Sequence, residues 1–118
     1  MSLQSKLKQV GEALHAALGD IVHHYYRPDG AAQSVTWQES GEDNSLHTGN
    51  KKTEQAIRGT VDYYTKTEFD SNADVIQTTL ESLRAAWMLE SVQYEEDTKL
   101  IHYEWSWIIR TDGVDGNG

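Results

Sequence analysis

Apolar residues recur along this chain with two different periods. Leu3, Leu7, Val10, Leu14, Ala17 and Ile21 return at steps of three and four, which places them on one face of an amphipathic helix. The spacing predicts a helix over 2–20, with Gly19-Asp20 as its stop. Gly11, inside it, costs about 1 kcal/mol relative to alanine. Ile21-Val-His-His-Tyr-Tyr then reads as extended, and Arg27 is kept from helix by the proline that follows it. From here the dominant period is two. Val35-Thr-Trp-Gln-Glu is a short strand with Val35 and Trp37 on one side. Ser40 to Thr53 is polar, with Leu46 as its one apolar residue, and reads as a long loop of a kind that is often functional. Its polarity predicts mobility in the free protein.

Glu54 to Thr67 is expected to be the longest strand. Ile57, Gly59, Val61, Tyr63 and Thr65 share one face, and Arg58, Thr60, Asp62, Tyr64 and Lys66 the other. A second helix opens at Asp70 or Ser71, where Ser71 and Asp74 resemble a capping box, with Ala73, Ile76, Leu80 and Leu83 as its apolar stripe. Trp87 to Ile109 closes the chain as a hairpin. Ile101, Tyr103, Trp105, Trp107 and Ile109 alternate with Leu100, His102, Glu104 and Ser106, so the odd face is expected to be buried under both helices. Pairing Tyr94 with Lys99 leaves a turn from Glu95 to Thr98 and groups Met88 and Val92 with that face.

The order is helix, strand, strand, helix, strand, strand. This predicts an α+β domain over 1–110, with a small antiparallel or mixed sheet of about four strands and two helices on one face. Thr111 to Gly118 reads as a disordered tail. At 118 residues the chain is one domain. It has no cysteine, hence no disulfide or thiolate chemistry. No apolar run approaches the length of a membrane span. The first residues lack the apolar core of a secretory signal, which points to a cytosolic origin. Nineteen acids against ten bases give a net charge of -9. That balance opposes specific binding to nucleic acid and otherwise describes a solvated exterior.

Candidate chemistry is sparse. His23 and His24 on a strand point to opposite faces and cannot chelate one ion together. His102 and Glu104 share a face and could pair, but cross-strand polar pairs are commonplace. Asp62, Glu68, Asp70 and Asp74 are candidate paired carboxylates, although Asp70 and Asp74 fit better as charges at a helix N-terminus. Gly49-Asn-Lys-Lys lacks the surroundings of a phosphate loop, and no nucleophile elbow is present. Tyr25-Tyr26 and Tyr63-Tyr64 could stack on bases, but stacking platforms carry interleaved basic residues, and these strands carry mostly acids. No catalytic residue, metal or cofactor is expected.

Three stretches carry a resemblance: Ser45-Leu-His-Thr-Gly-Asn-Lys-Lys, the run from Glu54 to Asp70, and the run from Ser91 to Trp105. Over 35–109 the chain resembles the tail-terminator or tail-completion proteins of long-tailed phages and Gram-positive prophages. The resemblance implies a structural, non-enzymatic protein with an α+β fold. It also implies a homo-oligomeric ring, typically a hexamer, that caps the tail tube and joins it to the head. The implied partners are the chain itself, tail-tube proteins and head-completion proteins, with no membrane. Its implied location is the virion tail, after synthesis in the host cytoplasm. Candidate interface residues are Leu46, His47, Lys51 and Lys52 in the loop, and Tyr64, His102 and Glu104 on the uncovered sheet face. A connector adaptor of the same size is the alternative within that class. A small enzyme or ligand-binding domain with a pocket beside the loop is the alternative outside it.

Overall fold

The computed structural model describes residues 2–43 and 55–110. Helix α1 runs Leu3–Leu18 and passes through a 3-10 turn, Gly19–Ile21, into β1, Val22–His24. Strands β2, Ser34–Glu42, and β3, Ala56–Thr65, precede α2, Ser71–Ser82; β4, Ala86–Glu95, and β5, Leu100–Arg110, follow it. The protein is α+β, with one sheet in the order β1-β2-β3-β5-β4. The sheet is mixed: β1 pairs parallel to β2, and every other pair is antiparallel. It therefore has five strands rather than about four. The extra one is β1, the middle of the segment expected to be extended, which pairs with β2 alongside it.

Local signals explain the helices. The Ser2 side chain accepts from the Ser5 N–H at 3.1 Å and caps α1. Asp70, not Ser71, caps α2, accepting from the Asn72 N–H at 3.0 Å. The same carboxylate accepts from Tyr63 Oη at 2.6 Å and Thr65 Oγ1 at 2.7 Å. Gln33 and Asn72 amides donate in turn to the Tyr63 oxygen. One polar knot thus ties the end of β3 to the start of α2. Burial opposes the Asp70 charge, but the bonds from Tyr63, Asn72 and Thr65 outweigh it and hold the carboxyl below its usual range.

Both helices lie on one face. Leu7, Val10 and Leu14 of α1 and Ile76 and Leu80 of α2 pack with Val35, Trp37, Ile57, Val61, Tyr63, Trp105, Trp107 and Ile109. The odd face of β5 is buried from Trp105 to Ile109, whereas Ile101 and Tyr103 are only half-buried. Trp105 Nε1 donates to Gln77 of α2 at 3.0 Å, so its one polar atom is satisfied in the core.

Two strand boundaries and one register differ from the expectation. β2 continues to Glu42 through a bulge between Glu39 and Gly41, so Ser40–Glu42 is strand rather than loop. β3 stops at Thr65 and is shorter than β5. In the hairpin Tyr94 pairs with Ile101, not Lys99, and Glu95 pairs with Leu100. Residues 96–99 form the turn, closed by the Lys99 N–H on the Glu95 carbonyl at 2.7 Å. Lys99 adopts the left-handed conformation, φ 61°. A bulge between Leu89 and Ser91 changes the phase of β4. As a result Leu89 opposite Trp105 and Val92 opposite Tyr103 share the helix side, and Met88 moves to the other face opposite Ser106.

Candidate functional site

Of the expected interface residues, Leu46, His47, Lys51 and Lys52 lie outside the described residues. Tyr64, His102 and Glu104 fall together on the sheet face away from the helices, because even positions of β3 and β5 pair directly: Tyr64 with His102, Asp62 with Glu104. The partners differ from the local reading. His102 Nε2 bonds Asp62 Oδ1 at 2.7 Å, across the strands and not along its own. Its Nδ1 lies 3.5 Å from Glu95 at the mouth of the hairpin turn. The imidazole stacks on the Tyr64 ring at 4.2 Å, and the Arg27 guanidinium covers that ring at 4.3 Å. The bond to Asp62 raises the His102 pKa, and the charges of Asp62, Glu95 and Glu104 add to the effect against the opposing cost of burial. Burial, then Asp62 and Glu95, pushes the Tyr64 phenol up. Arg27 arrives from the 25–33 connection, which lies far from Tyr64 in sequence. No periodic signal announces that contact.

A second cluster sits at the β1 edge. A cleft of about 560 Å³ opens between α1 and β1–β2. His24 is stacked between Trp37 at 3.8 Å and Tyr25 at 3.7 Å. Its Nε2 lies 2.8 Å from Glu39, whose other oxygen accepts from the Tyr25 hydroxyl. Burial works against the Glu39 charge, yet the bonds from Tyr25 and His24 prevail and lower its pKa. Tyr25 carries φ 81°, an uncommon backbone state for an aromatic residue. The Gln4, Lys8 and Glu12 side chains complete the rim. Among the described residues no serine, threonine or cysteine lines the cleft, and its one hydroxyl, that of Tyr25, is engaged by Glu39. Among the described residues no group of three or more His, Asp or Glu is placed to hold a metal.

The third surface is apolar. On the helix side of β4, Leu89, Val92 and Tyr94 are 41%, 50% and 56% exposed. They adjoin the half-buried Ile101 and Tyr103. Among the described residues β4 is the last strand of the sheet, so no described strand pairs with its outer backbone edge. Sequence alternation missed this row because the bulge puts Leu89 and Val92, three residues apart, on one face. The signal that could have found it is the conflict itself: Leu89 and Val92 cannot both be inward in a regular strand.

No described helix is long and apolar enough to cross a membrane. No family model matches the chain, and no curated protein matches it.

Proposed function

We propose that the chain is a structural subunit of a phage tail, of the tail-terminator kind. Copies of it would assemble into a closed ring, expected to be a hexamer, that caps the tail tube and joins it to the head. The observation that carries the self-assembly reading is the β4 row. A core that buries Trp105 and Trp107 almost completely leaves three large apolar side chains on the same sheet face in solvent. An apolar patch rimmed by polar residues marks an interaction surface. The phage setting rests on the resemblance of the 45–52, 54–70 and 91–105 segments.

The experiment is electron microscopy of tails assembled with the wild-type protein, without it, and with a Leu89→Asp/Val92→Asp variant. Leu89 and Val92 are half-exposed strand residues, where aspartate is disfavoured, so thermal melts first establish that the variant is folded. Rings at tail ends with the wild type only are the expected result. Wild-type protein that never decorates a tail would remove the terminator assignment, and a ring found only on isolated heads would point to the adaptor role.

A further inference from the structure

We propose that the hollow between the 27–32 connection and the β4–β5 turn holds a phosphate group, either free or carried on a short carbon body. The proposal is independent of the tail reading.

The hollow has a volume of about 260 Å³, below the roughly 300–1,000 Å³ of pockets that take drug-sized ligands. Arg27 lines it from the connection, Lys66 from the end of β3 and Thr98 from the turn. The strand register brings these segments together. Thr65 pairs with Ile101, so Lys66, the next residue, comes beside Leu100. Ala31, Ala32 and Leu100 add an apolar wall, which suits a carbon body behind the charged group.

Charge singles the hollow out. In a chain with nineteen acids and ten bases, two cations line it and no acid does. Among the described residues no carboxylate stands at salt-bridge distance from Arg27 or Lys66. Asp29, Glu68, Glu95, Glu96 and Asp97 flank the lining residues in sequence. Glu95 lies 3.5 Å from His102 Nδ1 and accepts from the Thr98 hydroxyl at 3.1 Å, so its charge is already shared. The field of these five acids lowers the affinity for an anion without occupying either cation.

Arg27 is fixed in place. Its guanidinium lies 4.3 Å from the centre of the Tyr64 ring, and Nη2 donates to the Ala31 carbonyl at 3.3 Å. Its Nε is buried and bonds nothing among the described residues. A fixed cation with an unpaired buried donor is one whose charge the described chain leaves unanswered. The same contacts select the ligand. The side-on edge of the guanidinium, Nε and Nη2, is not open to a coplanar carboxylate, the bidentate pairing that joins arginine to carboxylates. A phosphate directs its oxygens in three dimensions, so two cations arriving from different segments can share it, lysine acting as a point charge.

Titration of the full chain with inorganic phosphate, followed by amide NMR at constant ionic strength, tests this. The Ala31, Ala32, Thr98 and Leu100 amides should shift along saturating curves. Chloride at the same ionic strength should leave them in place. Lys66→Gln should weaken binding about tenfold, the loss of one charge-assisted contact. Ala32→Glu puts a carboxylate into the hollow from within the chain and should abolish binding. Both residues are exposed, and the spectrum of each variant shows that it is folded before it is titrated. Glycerol phosphate separates the two sources: tighter binding than inorganic phosphate assigns an ester, weaker binding the free ion. Shifts that grow linearly, or equally with chloride, would overturn the proposal, as would wild-type affinity in both variants. Acetate that binds as tightly as phosphate would overturn the choice of ligand.

Discussion

Two tryptophans occupy space that would otherwise hold a Cβ. A Cβ at Gly59 would meet the Trp107 ring paired with it and the Gln38 carbonyl oxygen. A Cβ at Gly11 would lie 2.7 Å from Trp37 Cζ2. The helix-interior glycine is therefore retained against its propensity cost, because the indole beneath α1 needs the room. Gly59→Ala should lose about 1–3 kcal/mol by overpacking, near the upper end because backbone is among the obstacles. Gly11→Ala meets only side-chain atoms and regains about 1 kcal/mol of helix propensity, so it should lose less. Urea unfolding of the two variants compares them. Equal stability of Gly59→Ala and wild type would show that Trp107 can move aside.

Between elements, His102 acts as a clamp. It joins β3 through Asp62 and the β4–β5 turn through Glu95, with the Tyr64 ring stacked on it, Arg27 in turn over Tyr64, and Glu104 beside it on β5. Its pKa is raised in the folded chain. The clamp is therefore complete below the unfolded-state value of about 6.5 and is lost as pH rises through the higher folded value. Asp70 works in the opposite direction. Its lowered pKa means that the β3–α2 knot weakens only in acid, as pH falls through the folded value. Stability of wild type minus that of His102→Gln should decline as pH rises above about 6.5. Urea midpoints across neutral pH measure it. A difference independent of pH would show that the imidazole contributes by stacking alone.

At the scale of the whole molecule, a charge of -9 per copy opposes assembly while the apolar row favours it. Salt screens the first, with a Debye length of about 10 Å at 0.1 M and 3 Å at 1 M. It leaves the second intact. Light scattering should therefore show monomers at low ionic strength and larger species as salt rises. Association that weakens with salt would mean that attraction between charged groups, rather than β4 burial, holds the copies together.

The sequence by itself determined what depends on near neighbours. Three- and four-residue spacing set both helices, Asp70-Ser71 marked the start of the second, and strict alternation sorted β3 into Val61 and Tyr63 inside, Asp62 and Tyr64 outside. Alternation also grouped Tyr64, His102 and Glu104 on one face. It did not reveal that His102 would bond Asp62, or that Arg27 would cover Tyr64. Those contacts join residues 40 and 37 positions apart (102 to 62, 64 to 27), and a local period carries no information at that range. Only the tertiary structure decided that Val22–His24 becomes a strand, because its ladder needs β2 beside it. Only it decided that a bulge turns Leu89 and Val92 to one side, since periodicity assumes an unbroken phase. Ile101 and Tyr103 follow the same rule: their pattern says which way they point, while the reach of the helices decides how much of them is covered.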